Sequence, residues 1–561
     1  MSNSNDKRLF WACFIMLIAT AFGFVVRTQI MGDLAAEFNF SETQKGELLG
    51  AWFWPFGVSI ILFSLVIDKI GYGNTVIFAF ICQLTSSVLA IYSKNYLWFY
   101  LANVIGALGN GAVEAVINPV VATMFSRDKT KWLNILHAGW PGGLVVGGIL
   151  AIFLPRMIGP QVPDWGVQIG LHSIWQFKLA LVFIPVILYA LLVIGCKFPI
   201  NERVAAGISY RTMLKEAGLL SWLVATSLIV LEVTRVFEEM KYIFDGPQWN
   251  EILYQLNIPN LGNWDITKKM AVKLALIAIP SILFFAYVLS LGRMFFFFLV
   301  VIMIPLATTE LGTDGWITDL MKGEMASVSK LVGMEIEAGW VLVYTSFIMM
   351  VLRFFAGPIA HRFSPLGLLA ISAAIAAGGL FFLSKSTGLM IIGAATLYAF
   401  GKTFFWPTML GVESEQCPKG GALTLNMLGG IGMIGVGIIG NPLLGNIQDK
   451  FKANYLREHH AVLYEKIAGP EKTSLFGAYN SLVEDKVKTL SEDEKKTVTE
   501  TEELSKKNAL STVAIFPCFM LVCYVLMILY FKARGGYHAQ ELVTTPNPYP
   551  GQAPPVYEPI R

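Results

Sequence analysis

Apolar runs of about 18–25 residues recur along this chain from end to end, and no other property narrows its fold so far. A helix rises about 1.5 Å per residue, so each run can cross the hydrocarbon core of a bilayer. In lipid every backbone donor and acceptor must be satisfied within the chain, as a helix satisfies them. The spacing predicts six helices over 9–31, 47–67, 74–93, 97–124, 132–155 and 174–196. Six more are predicted over 293–319, 340–360, 365–384, 388–411, 421–445 and 510–532. Between the sets, 217–234 and 272–290 are also apolar, the first interrupted by Ser221, Thr226 and Ser227 and flanked by Glu216 and Glu232. Two further crossings are expected there, because an even insertion leaves the orientation of the second set unchanged. The expected fold is therefore an all-α integral membrane protein with fourteen transmembrane helices, twelve being the alternative.

Composition removes several function classes. Only 14% of the 561 residues are charged, against roughly a quarter in soluble domains. The net charge of +3 gives no case for nucleic acid. No Gly-x-x-x-x-Gly-Lys-Ser/Thr phosphate loop is present, which weakens any ATP-driven reading. No nucleophile–base pair or metal-ligand spacing stands out in an aqueous-facing segment, so no enzymatic activity, cofactor or metal is expected. Cys13, Cys82, Cys196, Cys417, Cys518 and Cys523 lie in apolar segments or beside predicted cytoplasmic loops, and no disulfide is expected.

Orientation follows from lysine and arginine in short loops. Lys7 and Arg8, Lys69, Arg127 to Lys131, Lys197 to Lys215, Arg293, Arg362 and Lys419 share one side if both termini are cytoplasmic. The expected location is the plasma or inner membrane, with an uncleaved first helix. The outer segment 447–509 mixes acids and bases and reads helical over Ser491 to Leu504, as a solvated cap over the mouth. The expected domains are 1–196, a central insertion over 197–291, 292–534 including that outer loop, and a proline-rich, disordered tail over 535–561. The tail's Pro554-Pro555-Val556-Tyr557 matches a WW-domain ligand, a match that chance explains better.

Four charges sit inside different apolar runs: Arg27, Glu114, Glu310 and Lys402. A charge at that depth is expensive and is rarely kept without a use. Two are basic and two acidic, one in each quarter of the two helix sets, as along a pathway. Asn110, Glu114 and Asn118-Pro119 recur at i, i+4 and i+8, which makes one polar stripe. Arg27 lies about nine ångströms above the midpoint of its helix and Glu114 about five below, so a direct bridge needs a long reach. Asn118 and His137 lie at similar depth and form a better contact. Thr308 to Trp316 contains two glycines and two acids, and reads either as a broken helix at a binding site or as a helix ending near Leu311 with Asp314 solvated. Lys402 is too central to snorkel, so it should pair with Glu310 or another acid. Trp406 shares its helix face and is the leading aromatic candidate.

The second run is followed by Ser64-Leu65-Val66-Ile67-Asp68-Lys69-Ile70-Gly71-Tyr72-Gly73. This resembles the helix 2–3 loop signature of the major facilitator superfamily, a glycine and then Asp-Arg/Lys-x-Gly-Arg/Lys. Asp68, Lys69 and Gly71 match; Ser64 replaces the leading glycine and Tyr72 a base. Gly357-Pro358-Ile359-Ala360-His361-Arg362 echoes it in the second half, as an internally repeated transporter predicts. The resemblance implies two six-helix bundles, here with two extra helices between them, rocking about a midplane site. It also implies a cytoplasmic latch containing Asp68, Lys69, Gly71 and Arg362, with Arg353 as a structural anchor nearby. The block from Asn110 to Pro119, with Asn134, His137 and Gly142-Gly143/Gly147-Gly148, resembles the fucose/glucose–galactose:proton symporter branch. Members of that branch carry a similar acid followed by Asn-Pro, which implies substrate binding and proton coupling for Glu114. Where they tend to place an acid or asparagine in helix 1, this chain has Arg27-Thr28-Gln29.

The resulting expectation is a monomeric secondary transporter that moves a small polar solute, first a monosaccharide, together with protons. Glu114 and Glu310 are the proton-coupling candidates. Arg27, Gln29, Asn110, Asn118, His137, Glu310, Lys402 and Trp406 are the solute-binding candidates. An organic-anion carrier using Arg27 and Lys402, a proton-coupled drug exporter and a non-transporting receptor are the alternatives.

Overall fold

The computed structural model describes residues 4–38, 40, 42–125, 129–159, 161–200, 207, 209–243, 266–333, 336–356, 362–540 and 557–558. The helices of the first bundle are α1 (Ser4–Phe38), α2 (Gln44–Ile70), α3 (Tyr72–Ile91), α4 (Tyr96–Met124), α5 (Lys131–Ile158) and α6 (Ile174–Val193). A hairpin follows, α7 (Tyr210–Ile243) and α8 (Ile266–Val288). The second bundle holds α9 (Met294–Leu320), α10 (Gly339–Phe354) and α11 (Pro365–Lys385). It continues with α12 in two pieces, Met390–Lys402 and Phe405–Gln416, and closes with α13 (Pro418–His459) and α14 (Glu492–Lys532). Among the described residues, twelve helices are long and apolar enough to cross a membrane by length and composition. The two others that the sequence reading counts, α10 and α12, are a shorter apolar helix and a broken one.

Proline explains the break. Pro407 has no N–H for the Thr403 carbonyl, and its ring crowds that carbonyl, so the helix stops at Lys402 and restarts at Phe405. Pro119 in α4 and Pro141 in α5 likewise leave the carbonyls of Ala115 and His137 without their i+4 donors. In α9 and α13 the ladder widens instead: Thr308–Gly312 and Val436–Gly440 are each one turn of π-helix, and they lie against each other.

The two bundles meet along an antiparallel seam between α2 and α13. A Cβ on Gly46 would lie 3.0 Å from the Asn441 carbonyl oxygen, one on Gly50 2.4 Å from that of Gly437, and one on Gly57 2.2 Å from that of Gly430. Only backbones with no side chain between them pack so closely, which is how small residues bring membrane helices together.

At one end of the seam α13 runs beyond its apolar part into the cap. A short helix (Ala461–Ile467) and a hairpin of Ala468–Ser474 with Gly477–Leu482 lead to α14, whose start is fixed by a capping box of Ser491 and Glu494. Leu456, Leu463, Ile467, Leu490 and Val498 give the cap its own small core. In the tail, residues 541–556, including Pro554 to Val556, and 559–561 lie outside the described residues, while Tyr557–Glu558 pair as a short antiparallel strand with Phe198–Pro199.

The central hairpin touches both bundles. Trp222 stacks on Phe284 at 4.6 Å between α7 and α8. At its foot Leu219 N donates to Ser290 O (3.0 Å) and Arg293 N to Glu216 O (3.1 Å), tying α7 to the start of α9. Gly218 and Gly292 meet here with φ of 64° and 96°, a region open to glycine but strained for other residues. At its tip Arg235 bonds Glu232 (2.6 Å) and Glu47 of α2 (3.0 Å), with Tyr96 of α4 donating to Glu47 at 3.1 Å.

Candidate functional site

A chain of polar contacts crosses from the first bundle to the second. It starts at Glu114 of α4, which accepts from the Asn118 amide one turn on. With that NH2 turned to the carboxylate, Asn118 Oδ1 faces His137 Nε2 of α5 at 3.0 Å, so Nε2 must carry a proton. The carbonyl of His137, freed by Pro141, accepts from Arg353 Nη1 of α10 at 3.0 Å. Arg353 Nε donates to the Thr403 carbonyl freed by Pro407 (2.7 Å), and Nη2 pairs with Glu310 Oε1 (2.7 Å). Glu310 Oε2 accepts from Trp406 N at 3.3 Å, the restart of the broken helix. Arg353 and Glu310 thus satisfy both open sides of the gap in α12, as ionic side chains at membrane depth must. The third proline carbonyl, Ala115 O, receives the Asn426 amide of α13 across the bundle boundary at 3.4 Å.

Lys402 pairs with Asp314 rather than Glu310, and lies 5.2 Å from the Tyr398 ring centre. The cause is angular: Glu310 is occupied by Arg353, while Asp314, one turn along α9, faces α12. Asp314 is therefore buried and does not stand in solvent beyond a helix end. The Tyr398 hydroxyl donates to Thr309 O inside the π-turn.

Arg27 is not part of this chain and makes no bridge to Glu114. Nε donates to Asn103 Oδ1 (2.8 Å), Nη1 to Gly23 O (3.0 Å) and Nη2 to Ser86 Oγ (3.1 Å), while the guanidinium sits 3.9 Å over the Trp52 ring. These partners are neutral and belong to α1, α2, α3 and α4, so Arg27 binds the helices of one bundle together. Asn110 likewise faces inward, accepting from Gln83 Nε2 at 2.8 Å while Tyr189 bonds Gln83. Gln29 lies at the junction of α1, α5 and α10, donating to Gly148 O at 3.4 Å.

Of the latch candidates, Asp68 and Lys69 are exposed at the end of α2, and Gly71 closes that helix with φ 78°. Arg362 is exposed; Gly357 to His361 lie outside the described residues. Arg353, expected as a structural anchor, is the hub of the central chain, because two proline-freed carbonyls and a buried acid face it. Prolines at 141 and 407 were the available signal. The seam was also visible in part, as Gly46-x3-Gly50-x6-Gly57 and Gly430-x6-Gly437.

At the cap end the bundles also meet through Lys45 of α2 and Asp319 of α9 at 3.6 Å. Lys507 of α14 holds Glu324 at 2.7 Å. The central residues themselves are closed off by protein; Glu114 is 2% exposed and Lys402 0%.

Comparison with known proteins gives one curated relative, the Protein TsgA homolog of Buchnera aphidicola subsp. Schizaphis graminum (strain Sg), 22% identical over 264 residues. The match covers 47% of this chain and 62% of that protein, less than two thirds of its length. Among solved structures, the chain is similar to a bacterial homolog of the human lysosomal transporter Spinster, inward-facing and unoccupied: 14% identity, 94% and 97% of the two chains covered, TM-score 0.58. It is also similar to tetrameric PepTSo2, with 12% identity, 94% and 99% covered, and TM-score 0.56. At these identities the likeness is one of fold. A family model described as Major Facilitator Superfamily matches residues 11–440.

Proposed function

The chain belongs to the major facilitator superfamily, and from that premise we propose that it is a proton-coupled symporter of a small polar solute, with monosaccharides the first candidates. The observation that carries the proposal is the setting of Glu114, a buried acid bonded to an amide rather than to a base. Glu310 and Asp314 are each neutralised by a cation, so their charges are already balanced. Of these three acids, Glu114 is the one whose charge a proton can switch without breaking an ion pair. Such a switch changes what Asn118 must donate and accept, and through His137 it reaches the Arg353–Glu310 pair on the other bundle. That link supports coupling between protonation and the arrangement of the bundles. The sugar assignment is supported by the likeness of the Asn110 to Pro119 block to sugar:proton symporters.

The test is internal pH in proteoliposomes holding the purified protein, with hexoses, pentoses and carboxylic acids added one at a time. Acidification on adding a sugar, absent in Glu114→Gln although counterflow of that sugar persists, is the expected result. Equal acidification in the variant removes Glu114 from the role. A second reading, carriage of an organic anion, draws on Arg27, which has no carboxylate partner among the described residues. It requires a response to carboxylates alone, beyond acid diffusion into empty liposomes.

A further inference from the structure

We propose that Leu475 and Phe476, the tip of the cap's hairpin, insert into the bilayer interface and anchor the cap to lipid. The two residues close the hairpin, since Ser474 pairs with Gly477 and leaves them as its loop. Two-residue loops of this kind are normally built from glycine, asparagine or aspartate, which suit both the backbone and water. Here the glycine is the flanking Gly477, with φ 91°, and the loop itself is apolar. Leu475 is 40% exposed and Phe476 is partly exposed. Neither belongs to the small core of the cap.

Hydrogen bonds fix where the tip lies along α13. Ser474 Oγ accepts from Phe476 N (3.1 Å) and from the Asn446 amide of α13 (3.1 Å), and donates to Gly477 O (3.0 Å). Lys450 Nζ, one turn beyond Asn446, donates to Phe476 O at 2.6 Å. The level of Asn446 follows from α9. Trp316 Nε1 donates to Asn441 O (3.2 Å), which sets these two residues at one depth. Asn446 stands about 7.5 Å capward of Asn441, and α9 ends its apolar run at Leu320, about 6 Å capward of Trp316. The tip is therefore level with the end of a membrane span, where the interface lies. Its direction is set by the face of α13 that carries it. Ile439, Leu443 and Ile447 recur at i, i+4 and i+8 and stay partly exposed, as the lipid-facing stripe of a membrane helix does. Lys450 continues that stripe at its capward end, where a lysine reaches for the headgroups. Leu475 and Phe476, bonded to it, hang at the top of a face that lipid covers. Apolar side chains at that depth gain by entering the boundary between headgroups and acyl chains.

The experiment uses the full-length protein in phospholipid nanodiscs, with the native cysteines replaced and a nitroxide attached at Leu475→Cys. Val462→Cys is the water reference: Val462 is 73% exposed on the short helix of the cap, beyond the end of α13 and about 20 Å further out than Asn446. Collisions of the nitroxide with oxygen, which concentrates among acyl chains, are compared with collisions with a nickel chelate, which stays in water. The expected ratio of oxygen to nickel collisions is several-fold higher at 475 than at 462. Because the nitroxide is itself apolar, a second label at Ala478→Cys, exposed on the adjoining strand, reads the depth of the hairpin with the native tip in place. Its ratio should fall toward that of 462 when Leu475 and Phe476 are both replaced by serine. Equal ratios at 475 and 462, or a ratio at 478 that the serine variant does not move, would overturn the anchor. Both results leave proton coupling through Glu114 untouched, since no residue of the central chain is altered.

Discussion

Gly50→Ala tests whether the seam between α2 and α13 is a surface that must part during transport. The added methyl would lie 2.4 Å from the Gly437 carbonyl oxygen, where an ordinary carbon–oxygen contact is about 3.3 Å. The opposing atom is backbone, with no flexible end to swing aside, so the helices must separate by about 0.9 Å at this level. Overpacking of this kind costs about 1–3 kcal/mol, and it is charged only to arrangements in which the seam is shut. If a parted arrangement exists, its population relative to the shut one should rise about 5- to 150-fold. The helix itself is not harmed, since alanine is the better helix former. The assay places a cysteine at Leu49, 3% exposed beside the seam, after the native cysteines are replaced, and follows its labelling by a membrane-impermeant maleimide from the cap side. Gly32→Ala is the control, because a Cβ there meets nothing within 4 Å. Labelling should be at least about fivefold faster with Gly50→Ala. Equal rates in the two backgrounds would refute the argument that the seam separates.

Lys402→Met should destabilise the protein by about 3–5 kcal/mol by leaving Asp314 charged and alone, and adding Asp314→Asn should recover most of the loss; thermal denaturation in detergent checks it, and a double variant no better than the single one speaks against the pair. Arg27→Lys should lower thermal stability through the lost bonds to Asn103 and Ser86 while leaving the KM for the transported solute within about twofold, since its partners all lie within one bundle; a KM raised tenfold with stability intact would place Arg27 at the solute. Glu114→Gln should separate accumulation from counterflow in the liposome assay.

Helix positions were legible because apolar length is a one-dimensional property, and depth along a helix nearly so. Counting residues was enough to bring Asn118 and His137 together, and they do meet. The same count could not decide whether Lys402 takes Glu310 or Asp314, since these differ by one turn and the choice depends on a competitor, Arg353, from another helix. It also placed Arg27 and Asn110 among the solute-binding candidates, because a residue's depth says nothing of which neighbour its side chain faces. The surroundings of Arg353 were hidden for a related reason: besides Glu310, its partners are two backbone carbonyls, which have no letter in the sequence. They were nevertheless written there indirectly, four residues before Pro141 and Pro407. The π-turns at Thr308–Gly312 and Val436–Gly440 have no comparable signature.

The inserted hairpin is anchored at both ends to bodies that the proposed transport mechanism requires to move against each other. Backbone hydrogen bonds join its foot to the start of α9, and Arg235 fastens its tip to Glu47 of α2. A tie rod fixed in this way cannot stay straight while the bundles tilt, so the strain collects where the rod is softest. That place is Gly218, beside Gly292, where the backbone already leaves the helical region and a Cβ would fall 2.0 Å from its neighbour. The insertion would then set the travel of the rocking motion, as a stay limits how far a door can swing.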